Sequence, residues 1–429
     1  MRKIGILALI LFILGLAYLA VENDWITLPT ANGENTGENG NPDPGPITSP
    51  EPDPGTEPNP EPEIRTATLA AAGGAYPHDV VINEAHVGGG VYDFTPSFEF
   101  IAPYFKAADV SMVNLETMQA GPDLQFWGVS GYTGHEVAGI YTFNAPLSLS
   151  EALKDAGVNM YVMANNHSMD RGLEGLKVTL ENVRSLGFFT AGAYLNQEER
   201  DTPDLLDLNG IKVGFVSYTF STNGLPIPEG HEYAVNFSPF FEDLSPFIAD
   251  VKRTREAGAD IVVAMPHWGE EYNHEPSPQQ RDIARRLAEA GADIVLGGHP
   301  HVLQPMEWIY TEEEDGTKRP TMVVYSTGNF YSNQYYPRLD TDMVEYGLLV
   351  NIELSKNMSD GTAWISDAGY EIYWSHFAWR HRLLVVSEVL ANGPEGYNID
   401  SSRYQILQQR YQDNKDIIER YGFSENKPF

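Results

Sequence analysis

The chain has 429 residues, of which 42% are hydrophobic and 11% aromatic, and it contains no cysteine. A chain of this length can bury one large core, and the lack of cysteine excludes disulfides, thiolate metal sites and a cysteine nucleophile. Its 60 acidic residues outnumber 27 basic ones, so the formal net charge is −33. This charge argues against a nucleic-acid partner, because phosphate binding needs the opposite field.

Residues 1–28 predict a membrane anchor. Arg2 and Lys3 precede an uncharged run over residues 4–21, which is about the shortest run that spans a bilayer. The two basic residues favour a cytoplasmic amino terminus and an exported body. The alternative is a signal peptide that is cut near residues 15–17, which would make the protein secreted. We therefore expect a single-pass protein of the cell membrane with an extracytoplasmic domain.

Residues 29–63 predict a tether between this anchor and the folded domain. They are rich in proline, glycine, asparagine and glutamate, and segments 41–46 and 57–62 favour extended, polyproline-like chain that builds no core. From residue 64 to residue 390 strand and helix signals alternate, which predicts one domain. Residues 391–429 predict a C-terminal helical extension.

The domain signals predict a mixed α/β fold. A strand at 347–352 is expected to run antiparallel to its neighbours, whereas other strands are entered from helices and favour parallel pairing. Further strands are predicted at about 66–70, 211–216 and 322–325.

Two helix starts follow the capping-box pattern, in which a serine is followed three residues later by glutamate or glutamine. Ser148 with Glu151 is the first, and Ser277 with Gln280 is the second. The second pattern predicts a helix over 278–290 that begins with proline. A polar helix is also expected over about 401–421.

One local pattern occurs four times in the domain. Each copy reads as a helix end, a glycine or alanine break, a short buried strand and a polar loop. Strands entered in the same way tend to lie parallel, so we expect their carboxyl ends to share one edge of the sheet, where α/β proteins build their sites. The loops carry metal-binding residue types: Glu116, Asn165 with Asn166 and His167, His267, and His299 with His301.

Each of these residues also has an ordinary structural explanation. His267 alone suits a hydrogen-bonding role, Glu116 alone suits a surface carboxylate, and Asn165 suits a turn and a helix cap. His299 and His301 follow two glycines, which favours a crowded site over a solvated loop. Their shared position at strand ends favours a metal site for the whole set.

The same motifs resemble those of the poly-γ-glutamate capsule-synthesis family, the CapA-type branch of the calcineurin-like metallophosphoesterase superfamily. The resemblance spans about residues 66–390 in the order that the family shows. The matching segments are Asn114-Leu115-Glu116, Asn165-Asn166-His167 with Asp170 and Gly172, His267-Trp268-Gly269 with Glu271 and Tyr272, Gly298-His299-Pro300-His301 with Gln304, and Tyr325-Ser326 with Gly328-Asn329-Phe330.

The resemblance implies a four-layer α/β/β/α metallophosphoesterase-like sandwich with mixed sheets and one or two divalent ions at the strand ends. It assigns catalysis to His167 and Asp170, with His167 protonating the leaving group, and we expect Asn165 and Arg171 to contact the substrate. Imidazole, amide and carboxylate ligands admit manganese, iron, zinc or magnesium. By resemblance the ligands are Glu116, Asn166, His267, His299 and His301.

The first strand departs from the family pattern. Members usually end this strand with a Gly-Asp pair whose aspartate binds metal, whereas this chain has Gly74 at that place. Asp79, His78 or His86 would replace the aspartate only if the loop bends back. Three possibilities follow: a rebuilt site, a one-metal site, or a site that has lost hydrolysis.

The resemblance implies an extracytoplasmic, metal-dependent hydrolase of capsule synthesis, in which a hydroxide on the metal attacks a phosphoester. The expected partners are the anionic polymer poly-γ-glutamate or a phosphoester substrate, and a membrane synthase complex. The alternative is a non-hydrolytic subunit that binds, exports or anchors the polymer with a degraded metal site; a third is a phosphatase of small nucleotides. Basic residues that would draw in a polymer are Arg171, Lys177, Arg338 and Arg380.

Overall fold

The computed structural model describes residues 62–424, apart from residues 138, 314 and 336. The predicted anchor and nearly all of the predicted tether therefore lie outside the described residues. None of the helices in the described part of the chain combines the length and the apolar character that a membrane crossing requires.

The described residues form a mixed α/β fold, as the sequence predicts. In chain order the strands β1 to β18 are Ile64–Ala75, His86–Gly88, Val91–Tyr92, Val110–Leu115, Thr133–Val137, Ile140–Asn144, Met160–Val162, Phe189–Ala191, Asp204–Leu208, Ile211–Thr219, Ile261–His267, Ile294–Leu296, Met306–Glu312, Lys318–Val324, Asn329–Tyr331, Tyr346–Asn357, Ala363–His376 and Arg382–Val385.

The α-helices, α1 to α10 in chain order, are Asp79–Ala85, Thr95–Phe98, Ala102–Lys106, Ser148–Asp155, Gly172–Ser185, Gln197–Asp201, Ser245–Glu256, Pro278–Ala290, Val386–Asn392 and Ser401–Ile418. Short 3₁₀ turns lie at Glu232–Ala234, Met343–Glu345 and Phe377–Trp379. The predicted polar helix is α10, and its Leu407 and Ile418 are fully buried.

Two large sheets form the body. The first has 8 strands in the order β18-β17-β16-β1-β4-β7-β8, with β15 paired to β1, and the second has 6 strands in the order β13-β14-β12-β11-β10-β9. As predicted, β16 is antiparallel to its neighbours β1 and β17. Two hairpins, β2-β3 and β5-β6, stand apart from these sheets.

Alternate residues of the central strands face different hydrophobic clusters, as the two-residue period of a strand requires. In β1, Leu69 joins a cluster that also contains Val213 of the second sheet, so this cluster joins the two sheets. Its neighbour Ala70 faces outward and packs with residues of α4 and α5. On the other side, Val262 of β11 packs with residues of α7 and α8. Each sheet thus has one face on the other sheet and one face under helices.

The four repeated strand-loop patterns do not share one sheet, which corrects the expectation of a single edge. β4 and β7 are parallel neighbours in the first sheet, and β11 and β12 are parallel neighbours in the second. The local pattern predicts how each strand is entered, but only packing decides which sheet it joins. The strand ends still meet, because the two sheets stack through a common core.

One of the two predicted capping boxes is confirmed. Ser277 Oγ accepts a hydrogen bond from Gln280 N at 3.1 Å, and Gln280 Oε1 accepts one from Ser277 N at 2.9 Å. The predicted capping box at Ser148 is wrong. The helix begins one residue earlier than the pattern implies, with Leu147 at the N-cap position. Ser148 Oγ is buried without a hydrogen-bond partner. Glu151 N donates to Leu147 O instead.

The two serines provide a matched test of these helix starts. We expect Ser277→Ala to lower the free energy of unfolding by about 1 kcal/mol, because it leaves backbone donors of α8 without a partner. Ser148→Ala removes no cap hydrogen bond, so its effect should be smaller than that of Ser277→Ala. Chemical denaturation of both variants checks this, and equal losses would contradict the assignment of the caps.

Candidate metal centre

Glu116 follows β4 directly and is buried at 1% exposure. Its Oε2 accepts a hydrogen bond from Asn114 Nδ2 at 3.0 Å. Its Oε1 has no hydrogen-bond partner and lies 3.6 Å from His267 Nε2. Burial raises the pKa of Glu116 to about 8. A buried carboxylate with a free oxygen is costly unless a cation or a donor approaches it.

His267 is the last residue of β11 and points its Nε2 at two oxygens. Asn166 Oδ1 lies 2.9 Å from this nitrogen, and Glu116 Oε1 lies 3.6 Å from it. Asn166 is held in turn by a hydrogen bond from its Nδ2 to Asn223 Oδ1 at 3.2 Å. Burial, followed by the neighbouring imidazole of His299, lowers the pKa of His267 well below its ordinary value. The ring is therefore neutral, which is the form that binds metals.

His299 and His301 both have positive φ, at 98° and 59°. Residues other than glycine rarely adopt this conformation, which costs free energy and is typical of functional loops. The reversal of the chain at these residues brings their rings 5.9 Å apart. His299 Nδ1 is buried without a hydrogen-bond partner, and burial lowers the pKa of His299 to about 3.

His301 is anchored through Nδ1. This nitrogen lies 2.9 Å from Asn329 Oδ1 and 2.9 Å from the Tyr76 hydroxyl. The Tyr76 hydroxyl itself donates to Asn329 Oδ1. An amide oxygen can only accept, so Nδ1 of His301 carries the hydrogen and Nε2 keeps a free lone pair. Metal-binding histidines are commonly oriented by such a bond from the second nitrogen.

The donor atoms fit a metal ion. Ligand atoms of Glu116, His299 and His301 all lie within 4.8 Å of one another. Two of the atoms in this region, Glu116 Oε1 and His299 Nδ1, are buried and have no protein partner. Carboxylate and neutral imidazole are ordinary ligands of divalent first-row metals, so a metal ion is a suitable partner for either atom.

His167 and Asp170 form a buried pair beside this group. His167 Nδ1 lies 2.9 Å from Asp170 Oδ2, which also accepts a hydrogen bond from Phe143 N at 2.6 Å. Burial by itself lowers the pKa of His167, but the adjacent Asp170 carboxylate outweighs it, so the pKa is raised. Since Nδ1 is bonded to Asp170, Nε2 is the nitrogen available to a substrate.

Asn165 and Arg171, expected as substrate contacts, are fully buried supports. Asn165 Nδ2 donates to Asn114 Oδ1 and to Leu115 O, both at 2.9 Å, which fixes the loop against β4. Arg171 is 1% exposed and donates to Thr133 Oγ1 at 2.6 Å and to Asp170 O at 2.9 Å. Their placement favours a supporting role, because Asn165 Nδ2 and both terminal nitrogens of Arg171 donate to the protein itself.

A pocket of about 110 Å³ opens over His167 and His301. Arg338 is the basic side chain among its lining residues, and it donates a hydrogen bond to the Tyr141 hydroxyl at 2.9 Å. Of the other basic candidates, Arg380 donates to Glu84 O and Lys177 lies along α5, and neither lines this pocket. The remaining lining residues are Tyr76, His78, Phe143, Glu271, Tyr272, Gln334 and Leu339.

Sequence reasoning gave no role to Tyr76 or Asn329, although both hold His301. Tyr76 lies two residues after Gly74, and Asn329 was recognised only as part of a motif. Because 225 residues separate Tyr76 from His301, no local pattern indicates their contact. The sole sequence signal is that Tyr76 and Asn329 both stand at strand ends.

None of the three residues considered as replacements for the missing aspartate belongs to the metal-binding cluster of Glu116, His299 and His301. Asp79 accepts from Gly134 N at 2.7 Å and pairs with His135 at 2.8 Å, so it is bound to the β5-β6 hairpin. His78 lines the pocket wall, where its Nδ1 accepts a hydrogen bond from Asn333 N at 3.2 Å. His86 is exposed on the β2-β3 hairpin.

Comparison with known proteins places the chain in a family. A family model described as bacterial capsule synthesis protein PGA_cap matches residues 68–334. The PGA biosynthesis protein CapA of Bacillus subtilis (strain 168) is 31% identical over 260 residues, which is 59% of this chain and 61% of that protein. The capsule biosynthesis protein CapA of Bacillus anthracis is 30% identical over 257 residues, 59% of this chain and 58% of that protein.

The matched region spans about three fifths of the length of these relatives. Among solved structures, a novel phosphatase from Mycoplasma pneumoniae aligns with 72% of this chain and 95% of its own, at 12% identity and a TM-score of 0.38. The family model covers well over half of the chain. The chain is therefore a member of the bacterial capsule synthesis protein family PGA_cap.

Proposed function

We propose that this protein is an extracytoplasmic, metal-dependent hydrolase of phosphoester type that serves the synthesis of an anionic capsule polymer, poly-γ-glutamate. The observation that carries the proposal is the pair of buried, unpartnered atoms, Glu116 Oε1 and His299 Nδ1, beside the His167–Asp170 pair. Family membership supports the link to capsule synthesis. The arrangement of helices on both outer faces of two stacked sheets supports an α/β/β/α sandwich of the metallophosphoesterase type.

In this proposal Glu116, Asn166, His267, His299 and His301 hold the metal. When bound, a divalent ion supplies Lewis acidity, which makes a water nucleophilic at neutral pH and offsets negative charge on the reacting group. The chain's own residues do the rest, and two of the ligands already have partners that fix their geometry. Asn329 and Tyr76 orient His301, and Asn223 orients Asn166.

His167 is proposed as the proton donor to the leaving group. It lines the pocket, it is buried at 6% exposure, and Asp170 holds its Nδ1, so Nε2 is the nitrogen that meets substrate. Phe143 N fixes Asp170 through a further hydrogen bond, and the Phe143 ring packs edge-on against His167 with ring centroids 4.7 Å apart. A positioned acid of this kind contributes typically about 10²- to 10⁴-fold to a rate.

The proposed location is the outer side of the cell membrane, with the amino-terminal run over residues 4–21 as the anchor, or the exterior if that run is cleaved. A partner in the membrane, such as a polymer synthase, is part of this proposal. The charge of −33 suits a soluble exported domain.

The proposal is tested by turnover of an aryl phosphate by the full-length protein. We expect hydrolysis that a chelator abolishes and that added divalent metal restores, because in this proposal the metal is what makes the attacking water nucleophilic. His86→Ala is the matched control, since it removes an exposed imidazole outside the site and should leave turnover unchanged. Turnover that persists in chelator would overturn the proposal.

A non-hydrolytic, polymer-binding subunit is the second candidate. Two observations favour it: Gly74 stands where the family pattern has a metal-binding aspartate, and Arg338 lines the pocket without a carboxylate partner among the described residues. It predicts metal binding without aryl phosphate turnover. It also predicts that polyglutamate binding is weakened by Arg338→Gln and not by Arg380→Gln, whose guanidinium is bonded to the Glu84 backbone.

A further inference from the structure

The carboxylate of Glu116 occupies the space beside Gly74. A Cβ atom at position 74 would meet Glu116 Oε2 more closely than real Cβ atoms approach their neighbours, whereas the Tyr76 ring would lie farther away, at a tight 3.1 Å. Gly74 is held in place on both sides, since it pairs with Asn114 of β4 and with Asn329 of β15. The glycine is therefore what allows Glu116 to sit where it does.

The space next to Gly74 offers few ligands for a second ion. A cavity of about 40 Å³ lies there, large enough for a water molecule or two. Its walls are mostly apolar, with Ala72, Met112 and Leu296 among them. Its polar lining includes Asn114 and His267, of which His267 already belongs to the group around Glu116.

Among the described residues, Glu116 is the carboxylate whose ligand atom lies within 4.8 Å of those of His299 and His301. The charge of Glu271 also acts on His301, but its carboxylate is not part of this cluster. Asp170 is bonded through Oδ2 to His167 and to Phe143 N. Glu271 is exposed at the pocket, and Asp79 is bonded to the β5-β6 hairpin. The other donors, which are three imidazoles and an amide, are neutral.

Charge then limits how many ions the site holds. One divalent ion facing one carboxylate leaves a single positive charge, whereas two would leave three positive charges in a buried site. Buried charge without a compensating opposite charge is strongly unfavourable. The donor set also selects the kind of ion, because imidazole suits zinc and the later first-row metals, whereas magnesium and calcium prefer carboxylate, carbonyl and water oxygens.

We propose that the centre holds a single divalent ion of the imidazole-preferring class, such as Zn²⁺, with Glu116 as its one anionic ligand in the space that Gly74 leaves open. This inference rests on the metal centre of the proposed function and specifies its ion count and its ion class. Catalytic zinc typically has three protein ligands and an open position, and Glu116, His299 and His301 offer three ligand atoms within 4.8 Å of one another, so a single ion is compatible with hydrolysis.

The test is elemental analysis of the full-length protein after equilibrium dialysis against Zn²⁺ alone, Mg²⁺ alone, and Zn²⁺ with Mg²⁺ in thousandfold excess. We expect one zinc per chain, no tightly held magnesium, and no displacement of zinc by magnesium. Two tightly held zinc ions per chain, or magnesium that replaces zinc, would overturn the inference. Neither of these measurements depends on a variant.

Two glycine variants test the part assigned to Gly74. Gly74→Ala should raise the dissociation constant for Zn²⁺ at least tenfold, because the added methyl displaces Glu116 Oε2. Gly298→Ala is the matched control, because residue 298 lies in the same site. Its Cβ would meet only His267 Nδ1, at an ordinary 3.7 Å, so its zinc affinity should equal that of the wild type. Equal affinities of the two variants would overturn the role of Gly74.

The outcomes separate this inference from the proposed function. If no divalent ion binds, both fail together. If two ions bind and aryl phosphate is hydrolysed, the proposed function stands and the single-ion inference fails. If one zinc binds and aryl phosphate is not hydrolysed, the inference stands and the polymer-binding alternative gains support.

Discussion

Replacing His299 with alanine should abolish tight zinc binding and the thermal stabilisation that zinc provides. His299 Nδ1 is buried with no protein partner, so the variant loses a ligand that nothing nearby replaces. An ion that binds only the folded chain at a hundred times its dissociation constant stabilises it by about 2.7 kcal/mol. Melting curves of the wild-type protein should therefore rise by a few degrees on addition of zinc, and those of the variant should not move.

The matched control for this experiment is His274→Ala. His274 is a partly buried histidine in the loop after β11, the strand that neighbours β12, and its Nδ1 donates to Leu303 O at 2.8 Å, outside the metal group. The variant loses this hydrogen bond and some basal stability with it, but its zinc response should equal that of the wild type. A full zinc response in His299→Ala would show that the ion is held elsewhere.

Replacing His167 with alanine should lower kcat for aryl phosphate by about 10² to 10⁴, the range expected for loss of a positioned proton donor. Zinc content should stay at the wild-type value, because His167 is bonded to Asp170 rather than to the ligand group. Asp170→Asn should lower kcat by less, since the imidazole remains but loses the carboxylate that holds it. Steady-state kinetics with elemental analysis of each variant checks both statements.

The substrate supplies an internal control for the role of His167. A leaving group with a low pKa needs little protonation, so the loss in kcat should shrink as the phenol becomes more acidic. A purely structural role of His167 would give the same loss with every leaving group. A uniform loss across a series of aryl phosphates would therefore contradict the assignment of His167 as the acid.

Much of the local structure follows from local sequence. The helix over Pro278–Ala290 begins and ends at the predicted residues, because proline, the Ser277–Gln280 box and Gly291 each restrict the backbone at one end. The strand over Tyr346–Asn357 is antiparallel to both of its neighbours, as predicted. The start at Ser148 was wrong, because the pattern alone does not reveal that Leu147 already caps the helix.

The sequence predicted which loops form the candidate site, but it did not predict which residues contact one another within it. Strand-end patterns placed Glu116, Asn166, His267, His299 and His301 in loops that do meet. They did not reveal that Arg171 is buried under the site, because its sequence neighbours are the same whether it faces solvent or protein. Nor did they reveal that Arg338, far along the chain, lines the pocket.

The amino-acid sequence by itself determined which segments become strands and helices, and which side chains stand at the strand ends, because hydrophobic period and chain-breaking residues act over a few neighbours. Only the tertiary structure decided that those ends come from two stacked sheets, that Tyr76 holds His301 across 225 residues, and that Glu116 fills the space beside Gly74. These contacts depend on how buried faces pack together, and packing is a property of the whole core rather than of any one segment.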